Sequence, residues 1–196
     1  MKIGHHFLTT SHDIRGLFDN VNKISTFCTK LEAQANIDTL AYPYEKYVGD
    51  GFELLVELII KLTQTDNRIG ITNYEPVQSN NDNGVDGYGI NLLNRKCAVQ
   101  VKYRSNNSKL LTATSDGLDS FLAEAMFESV LPEVMDPCKN HYIFTTAEGL
   151  HYYTENEKYR KSIKVIGYNH LREMLDKNIH FWNAARNIIN QNLQNR

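Results

Sequence analysis

The sequence predicts an α/β sandwich in which helices flank a central mixed sheet, with an extra N-terminal helix before this core and further C-terminal helices after it. Three observations predict this class. Apolar residues recur at three- and four-residue spacing in the first third of the chain, as on amphipathic helices. Short runs of strand-forming residues, separated by turn residues, come next. The last third then alternates strand and helix patterns, so the predicted order is two helices, a three-stranded meander and αβαβαα.

Composition is that of a globular protein. The 196 residues are 41% hydrophobic and 22% charged, with a formal net charge of -2, which excludes disordered, collagen-like and coiled-coil classes. The longest apolar run, 54–60, contains Glu57 and is too short to span a bilayer. The first residues lack the apolar stretch of a signal peptide. We therefore expect a cytoplasmic protein without a membrane partner, in a host cell's cytoplasm if a phage or mobile element encodes it.

Two helices are predicted first. Apolar spacing indicates one helix over residues 11–31, and Pro43 then marks a boundary. This boundary divides the chain into an N-terminal helical extension, residues 1–44, and a main domain, residues 45–196. The main domain begins with a second helix, predicted over 45–65.

A strand over 68–76 follows, and then a β-hairpin whose strands span 85–92 and 96–103. The remaining predicted elements are helix 116–130, strand 141–146, helix 149–161, strand 162–167 and helices 169–175 and 181–193.

The cysteines and histidines show no metal-ligand pattern. Cys28, Cys97 and Cys138 are widely spaced and form no CxxC pair, so neither a zinc site nor a redox site is predicted. His5 and His6 could coordinate a metal, but the favoured interpretation is that they belong to a mobile tip.

The chemically informative residues lie on the hairpin. Asp86, with glycines close on either side, lies early on the first strand, and Gln100 and Lys102 lie two residues apart on the second. Side chains two apart on a strand point to the same face. A buried polar pair on an apolar strand needs partners. The hairpin brings Asp86 within cross-strand reach of Gln100, and so gathers an acid, an amide oxygen and a cation.

Such a cluster suits phosphodiester hydrolysis. A carboxylate and neutral oxygens form a hard site for Mg²⁺, which activates water and neutralises charge on the phosphate. The Lys102 ammonium would orient or deprotonate that water. Glu53 and Glu57, one turn apart on the preceding helix, are the candidates for a second carboxylate ligand.

These residues resemble the PD-(D/E)XK, restriction-endonuclease-like nucleases, and especially their Mrr-like branch. The matching segments are Gly51-Phe52-Glu53, Gly84-Val85-Asp86-Gly87 and Val99-Gln100-Val101-Lys102, and the resemblance covers residues 45–175. It implies a restriction-endonuclease-like αβββαβ core. The implied activity is that of a metal-dependent DNA endonuclease, with Mg²⁺ as cofactor and Mn²⁺ able to substitute.

The resemblance also implies a role for each residue. Asp86 would be the principal metal ligand and Lys102 the catalytic lysine. Gln100 stands where most members carry Glu and where Mrr-like members carry Gln. The main-chain carbonyl of Val101 would also bind the metal, and Glu53 would bind it directly or through water.

Other interpretations stay open. Asp86 and Lys102 could form a cross-strand ion pair on a solvated face. Because Gln100 contributes no charge, the chain could also be a catalytically inactive DNA-binding or assembly module on the same fold. Glu57 rather than Glu53 could be the ligand from the helix.

The distribution of charge favours DNA as a partner, although the net charge does not. Residues 87–115 contain no acid, and the loop 105–108 is rich in short hydrogen-bonding groups. The residues predicted to bind DNA are Arg95, Lys96, Arg104, Asn106, Asn107 and Lys109. Cutting both strands of a duplex requires two active sites, which a homodimer would supply.

Overall fold

A computed structural model describes residues 1–9, 14–37, 42–64, 66–77, 84–123, 141–151 and 163–194. The helices are a 3₁₀ turn His6–Thr9, α1 Ile14–Phe18, α2 Ile24–Ile37, α3 Tyr44–Leu62, α4 Tyr168–Leu175 and α5 Ile179–Gln194. The strands are β1 Ile71–Pro76, β2 Gly87–Asn91, β3 Lys96–Lys102, β4 Leu110–Leu111, β5 His141–Thr145, β6 Gly149–Leu150 and β7 Ile163–Ile166. Residues 119–123 are also helical.

Five strands form one mixed sheet in the order β1-β2-β3-β5-β7. The first three are an antiparallel meander, and β5 and β7 continue the sheet parallel to β3. A parallel pair requires a crossover connection, and the chain between β3 and β5 contains the helical residues 119–123. Strands β4 and β6 form a separate parallel pair. The predicted α/β class, with a central mixed sheet flanked by helices, is confirmed.

Helix α3 packs on one face of the sheet. Its C-terminal half is buried almost all round, as expected for a helix that lies between the sheet and other helices. Val99 and Val101 of β3 point into the core that α3 shares. Ala98 points to the opposite face, where it belongs to a smaller core with Phe121. Strand β3 is therefore buried on both faces, which is typical of a central strand in a sheet covered on both sides.

The single helix predicted over 11–31 is in fact two helices. Helix α1 ends before Asn20, whose φ of 53° lies in the left-handed region that asparagine tolerates. Helix α2 begins at Ile24, whose N–H donates to Asp176 Oδ1 at 3.0 Å. A turn therefore interrupts the apolar spacing, with Asp176 from the distant end of α4 accepting from the start of α2, while Val21 within the turn stays buried.

Two further predictions differ from the structure or extend beyond it. Residues Gly149–Leu150, predicted to open a helix, form β6 instead, because their flanking N–H groups donate to the main chain around β4. The rest of that predicted helix, from residue 152, lies outside the described residues. The helix predicted over 116–130 begins at residue 119, and residues 124–130 lie outside the described part.

The 3₁₀ turn His6–Thr9 and strand β4 were not predicted, and the other predicted strands and helices agree with the described ones to within a few positions. None of the helices in the described ranges combines the length and apolarity that crossing a bilayer requires.

Candidate active site

A cleft of about 400 Å³ lies between the N-terminal half of α3 and the C-terminal end of β3. Its walls include Glu53 from α3, Asp86 just before β2, and Val101 and Lys102 at the end of β3. Four residues that sequence analysis selected from three separate segments therefore border one cavity.

Asp86 is fixed against β3 by both its backbone and its side chain. Its N–H donates to the Val99 carbonyl at 2.8 Å. Its Oδ2 accepts hydrogen bonds from the Val101 N–H at 2.5 Å and from Gln100 Nε2 at 3.1 Å. The predicted approach of Asp86 and Gln100 across the hairpin is confirmed. Because the N–H and C=O of one strand residue point to the same edge, the Val101 carbonyl also faces the side of Asp86.

Glycines on either side of Asp86 allow this close packing. Gly84 has a φ of +80°, which favours glycine, and a Cβ there would lie 3.0 Å from Gln100 Oε1. A Cβ on Gly87 would lie 2.3 Å from the Tyr74 hydroxyl. Side chains at these two positions would push the chain away from β3 and from β1, so the glycines set the position of Asp86.

Gln100 is a buried polar residue with only half of its amide satisfied. It is 2% exposed, its Nε2 donates to Asp86, and its Oε1 has no hydrogen-bond partner among the described residues. Leaving a buried acceptor unpaired costs about 1–3 kcal/mol. The side chain that donates to Asp86 therefore carries an unsatisfied buried oxygen on its other side, toward Gly84.

Lys102 lies at the mouth of the site. It follows Gln100 on the same face of β3 and is half-buried in the wall of the cleft. No ion pair joins it to Asp86, and none of the carboxylates in the described ranges lies within ion-pair distance of its Nζ. The cross-strand ion pair considered as an alternative is therefore absent from this part of the chain.

The two candidate carboxylates of α3 have different surroundings. The Glu53 side chain is 22% exposed and borders the cleft. Glu57 is completely buried and accepts hydrogen bonds from the main-chain N–H groups of Gly4 at 2.8 Å and His5 at 3.0 Å. It also pairs with Lys61 Nζ at 2.6 Å. Glu57 is thus committed to holding the N-terminal segment, and Glu53 is the carboxylate that the helix presents to the cleft.

Two histidines contact the acidic side of the cleft, so the prediction of a mobile tip is wrong for them. His5 is buried with its Nε2 2.8 Å from Glu53 Oε2, and burial lowers its pKa to about 4, which makes it neutral near pH 7. His6 Nε2 lies 3.0 Å from Asp50 Oδ2, and this hydrogen bond raises the pKa of His6. Burial would raise the pKa of Asp50, but hydrogen bonds from His6 and Tyr42 hold it below its usual range.

Sequence analysis missed these residues, and it also missed Lys46, which lines the cleft. A signal was available on α3. Lys46, Asp50, Glu53 and Glu57 follow one another at spacings of four, three and four residues, which places them on one face of the helix. A polar stripe on an otherwise apolar helix indicates a shared polar environment. The partners His5 and His6 carry no comparable sequence signal.

The residues predicted to bind DNA do not form one surface. Arg95 and Lys96 lie at the hairpin turn, at the other end of β3 from Lys102, which is about 20 Å away along the strand. Lys96 Nζ packs over the Tyr88 ring at 4.0 Å from its centroid. These two residues are therefore remote from the cleft.

The remaining predicted DNA contacts lie nearer the cleft. Arg104 lines it, but its Nε donates to Asp116 at 2.7 Å. The amide nitrogen of Asn107 donates to the Arg104 carbonyl at 3.2 Å, in the orientation that satisfies both ends of the amide, so Asn107 holds the loop together. Asn106 and Lys109 are exposed.

No protein-family model, curated protein or solved structure matches the chain. Function is therefore inferred from the geometry and chemistry of the cleft.

The oxygen donors at the cleft are of the kind that Mg²⁺ prefers. They are the carboxylates of Asp86 and Glu53 and the Val101 carbonyl. Gln100 is buried and does not line the cleft, so its side-chain oxygen would join them only if the amide turned over. In the described ranges, no three His, Cys, Asp or Glu side chains are grouped as a metal centre. A cation here would therefore depend on the amide and main-chain oxygens as well as on the two carboxylates. The unpaired Gln100 oxygen fits this requirement. If the amide turned over, Oε1 would lie beside the Asp86 carboxylate, and a cation between these two oxygens would offset their repulsion.

Proposed function

We propose that the chain is a Mg²⁺-dependent endonuclease that hydrolyses DNA phosphodiester bonds, and that it is a PD-(D/E)XK nuclease of the Mrr-like type. One observation carries the proposal: Asp86, Glu53 and Lys102, from three separate elements, border one cleft. The order of elements supports it as well. Helix α3, the meander β1-β2-β3, the helical residues 119–123 and β5 follow the αβββαβ order that the resemblance implies.

The residues of the cleft would have two different roles, cation binding and contact with the water and the phosphate. Asp86, Glu53, Gln100 and the Val101 carbonyl would hold the cation. When bound, Mg²⁺ would favour ionisation of water and offset negative charge on the phosphate in the transition state. The Lys102 ammonium, which has no carboxylate partner in the described residues, would orient the attacking water or take its proton and balance charge on the scissile phosphate.

A DNA substrate is supported by the basic residues around the acids. Lys46 on α3 and Lys102 at the end of β3 both line the cleft that Asp86 borders. Backbone phosphates are the groups that such lysines contact without reading sequence. A homodimer would provide the second site that cleavage of both strands requires.

Incubation of the protein with supercoiled plasmid tests the proposal. Nicked and linear products are expected with Mg²⁺ or Mn²⁺ and not with EDTA. Asp86→Asn and Lys102→Met are expected to abolish them. Asp19→Asn and Lys23→Met are the matched controls, because both residues lie in the exposed turn between α1 and α2. Cleavage that survives Asp86→Asn would disprove the assignment of the site.

A catalytically inactive DNA-binding module is the second candidate, and one observation favours it. The Gln100 amide donates to Asp86 and contributes no negative charge, so the cation site has one carboxylate fewer than a site with Glu at this position. The result that would select this candidate is binding of duplex DNA that weakens with salt, together with no cleavage in either metal.

A further inference from the structure

We infer that His5 is a positioning residue, which fixes the Glu53 carboxylate at the cleft through a hydrogen bond from its ring. This inference rests on the proposed function, since it gives Glu53 a role at the cation. His5 itself is 3% exposed and does not line the cleft, so it would act only through Glu53.

The hydrogen bonds of the ring determine which nitrogen carries the proton. The Phe7 N–H donates to His5 Nδ1 at 3.2 Å, so Nδ1 must be the unprotonated, accepting nitrogen. The proton of the neutral ring is therefore on Nε2, which lies 2.8 Å from Glu53 Oε2. His5 thus donates to Glu53. Both ring nitrogens are satisfied, which is what a buried histidine requires.

The backbone of His5 is held by the same helix that carries Glu53. Glu57, one turn further along α3, accepts the N–H groups of Gly4 and His5 with its two carboxylate oxygens. Glu57 is itself completely buried and paired with Lys61. The two carboxylates of α3 therefore have complementary tasks: Glu57 anchors the segment that carries His5, and the His5 ring fixes Glu53.

This arrangement restricts a side chain that would otherwise be free to rotate. A glutamate has three rotatable bonds, and ordering it costs conformational entropy whenever it must meet a ligand. A hydrogen bond that is already present in the folded protein removes part of that cost. In metal sites, groups that orient a ligand in this way commonly change metal affinity by about 10- to 100-fold when they are mutated.

The inference is tested with His5→Leu, which removes the donor, and His5→Gln, which keeps an N–H donor on a side chain of similar length. The first readout is Mn²⁺ affinity, measured by titration calorimetry of the full chain without DNA. His5→Leu is expected to weaken Mn²⁺ binding by about tenfold, and His5→Gln to recover most of the loss. His180→Leu is the matched control, because His180 is exposed on α5 and does not line the cleft.

The second readout is independent of metal and of activity. A two-bond ¹⁵N–¹H spectrum reports which ring nitrogen is protonated, and His5 is expected to carry its proton on Nε2. A proton on Nδ1 would overturn the inference, since the ring could not then accept from Phe7 and donate to Glu53.

The metal titrations separate this inference from the proposed function. Mn²⁺ binding that is lost in Asp86→Asn but unchanged in His5→Leu would reject the role of His5 and leave the nuclease proposal standing. An equal loss in His5→Leu and His5→Gln would show that the ring only packs, and would also reject it. If the wild-type chain bound no Mn²⁺, the proposed function would be rejected, and the role of His5 would be rejected with it.

Discussion

Gln100 donates a hydrogen bond to Asp86 at 3.1 Å and leaves its own side-chain oxygen buried and unpaired in the described residues. In an ordinary protein core, the oxygen of such an amide would also accept a hydrogen bond. Here the oxygen instead faces Gly84, and a Cβ added at Gly84 would lie 3.0 Å from it. The side chain that donates to the Asp86 carboxylate thus carries a buried, unpaired oxygen, which would meet a divalent cation beside Asp86 if the amide turned over.

Replacing Gln100 with Glu is expected to make the stability of the protein depend on a cation. Without metal, Gln100→Glu loses the hydrogen bond and places two carboxylates next to each other, so the free energy of unfolding should fall by about 2 kcal/mol. Adding Ca²⁺ should restore it, and should raise the melting temperature more than in the wild type. Thermal unfolding in EDTA and in Ca²⁺ measures both effects.

Gln100→Met is the control for this experiment, because it keeps the length of the side chain and removes both polar groups. It should change stability little without metal and should abolish any response to Ca²⁺. If Gln100→Glu melted at the same temperature in EDTA and in Ca²⁺, no cation would bind beside Asp86.

The same conservative change should mainly affect stability at Glu57 and mainly affect metal binding at Glu53. Glu57→Gln is expected to lower the free energy of unfolding by about 3 kcal/mol, because it removes the charged partner of Lys61 and one of the two buried oxygens that accept the Gly4 and His5 N–H groups. Glu53→Gln should cost about 1 kcal/mol, the typical value of one hydrogen bond, but should weaken Mn²⁺ binding strongly. Urea unfolding and calorimetric titration compare the two variants. Loss of metal affinity in Glu57→Gln alone, while the protein stays folded, would identify Glu57 as the ligand instead.

The hairpin and its site were accessible to prediction because local sequence controls them. Alternating strand residues, a short turn and side-chain periodicity of two are enough to place Gln100 opposite Asp86 and on the same face as Lys102. The choice between Glu53 and Glu57 could not be made in the same way, since both lie on one face of α3. What separates them is the N-terminal segment, whose contacts span more than fifty residues and leave no periodic signal.

The same limit explains the DNA contacts that were predicted at Arg95 and Lys96. Both residues belong to a stretch without acidic residues, and the prediction assumes that residues close in sequence also lie close together in space. A strand separates its ends by about 3.3 Å per residue, so the start of β3 is far from the end that borders the cleft. Lys46, more than fifty residues away from Lys102 in sequence, borders the same cleft because α3 packs over the end of β3.

Neutralising these lysines should therefore affect DNA binding unequally. Lys46→Met is expected to weaken binding of a duplex and to reduce the slope of log affinity against log salt by about one, the value for one phosphate contact. Lys96→Met should leave the slope unchanged. Fluorescence anisotropy at several salt concentrations, in Ca²⁺ to prevent cleavage, gives both slopes. A larger change for Lys96→Met would place the DNA along the hairpin and away from the cleft.

Asp116 should make stability depend on acid pH, because it ties the loop after β4 to the end of β3. Its carboxylate accepts from the Thr112 N–H at 2.5 Å and from Arg104 Nε at 2.7 Å. Burial would raise the pKa of Asp116, but these hydrogen bonds hold it below its usual value. A group whose pKa is lower in the folded than in the unfolded state stabilises the fold above its unfolded pKa, and this contribution disappears as pH falls through the folded value.

Asp116→Asn is therefore expected to lower the free energy of unfolding by about 1–2 kcal/mol at pH 7, and the difference from wild type should shrink below about pH 4. Urea unfolding at a series of pH values measures this difference. Asp119→Asn is the control, since Asp119 is exposed on the neighbouring helical residues and should change stability little at any pH. A difference between Asp116→Asn and wild type that stayed constant down to pH 3 would mean that the carboxylate's charge does not stabilise the loop.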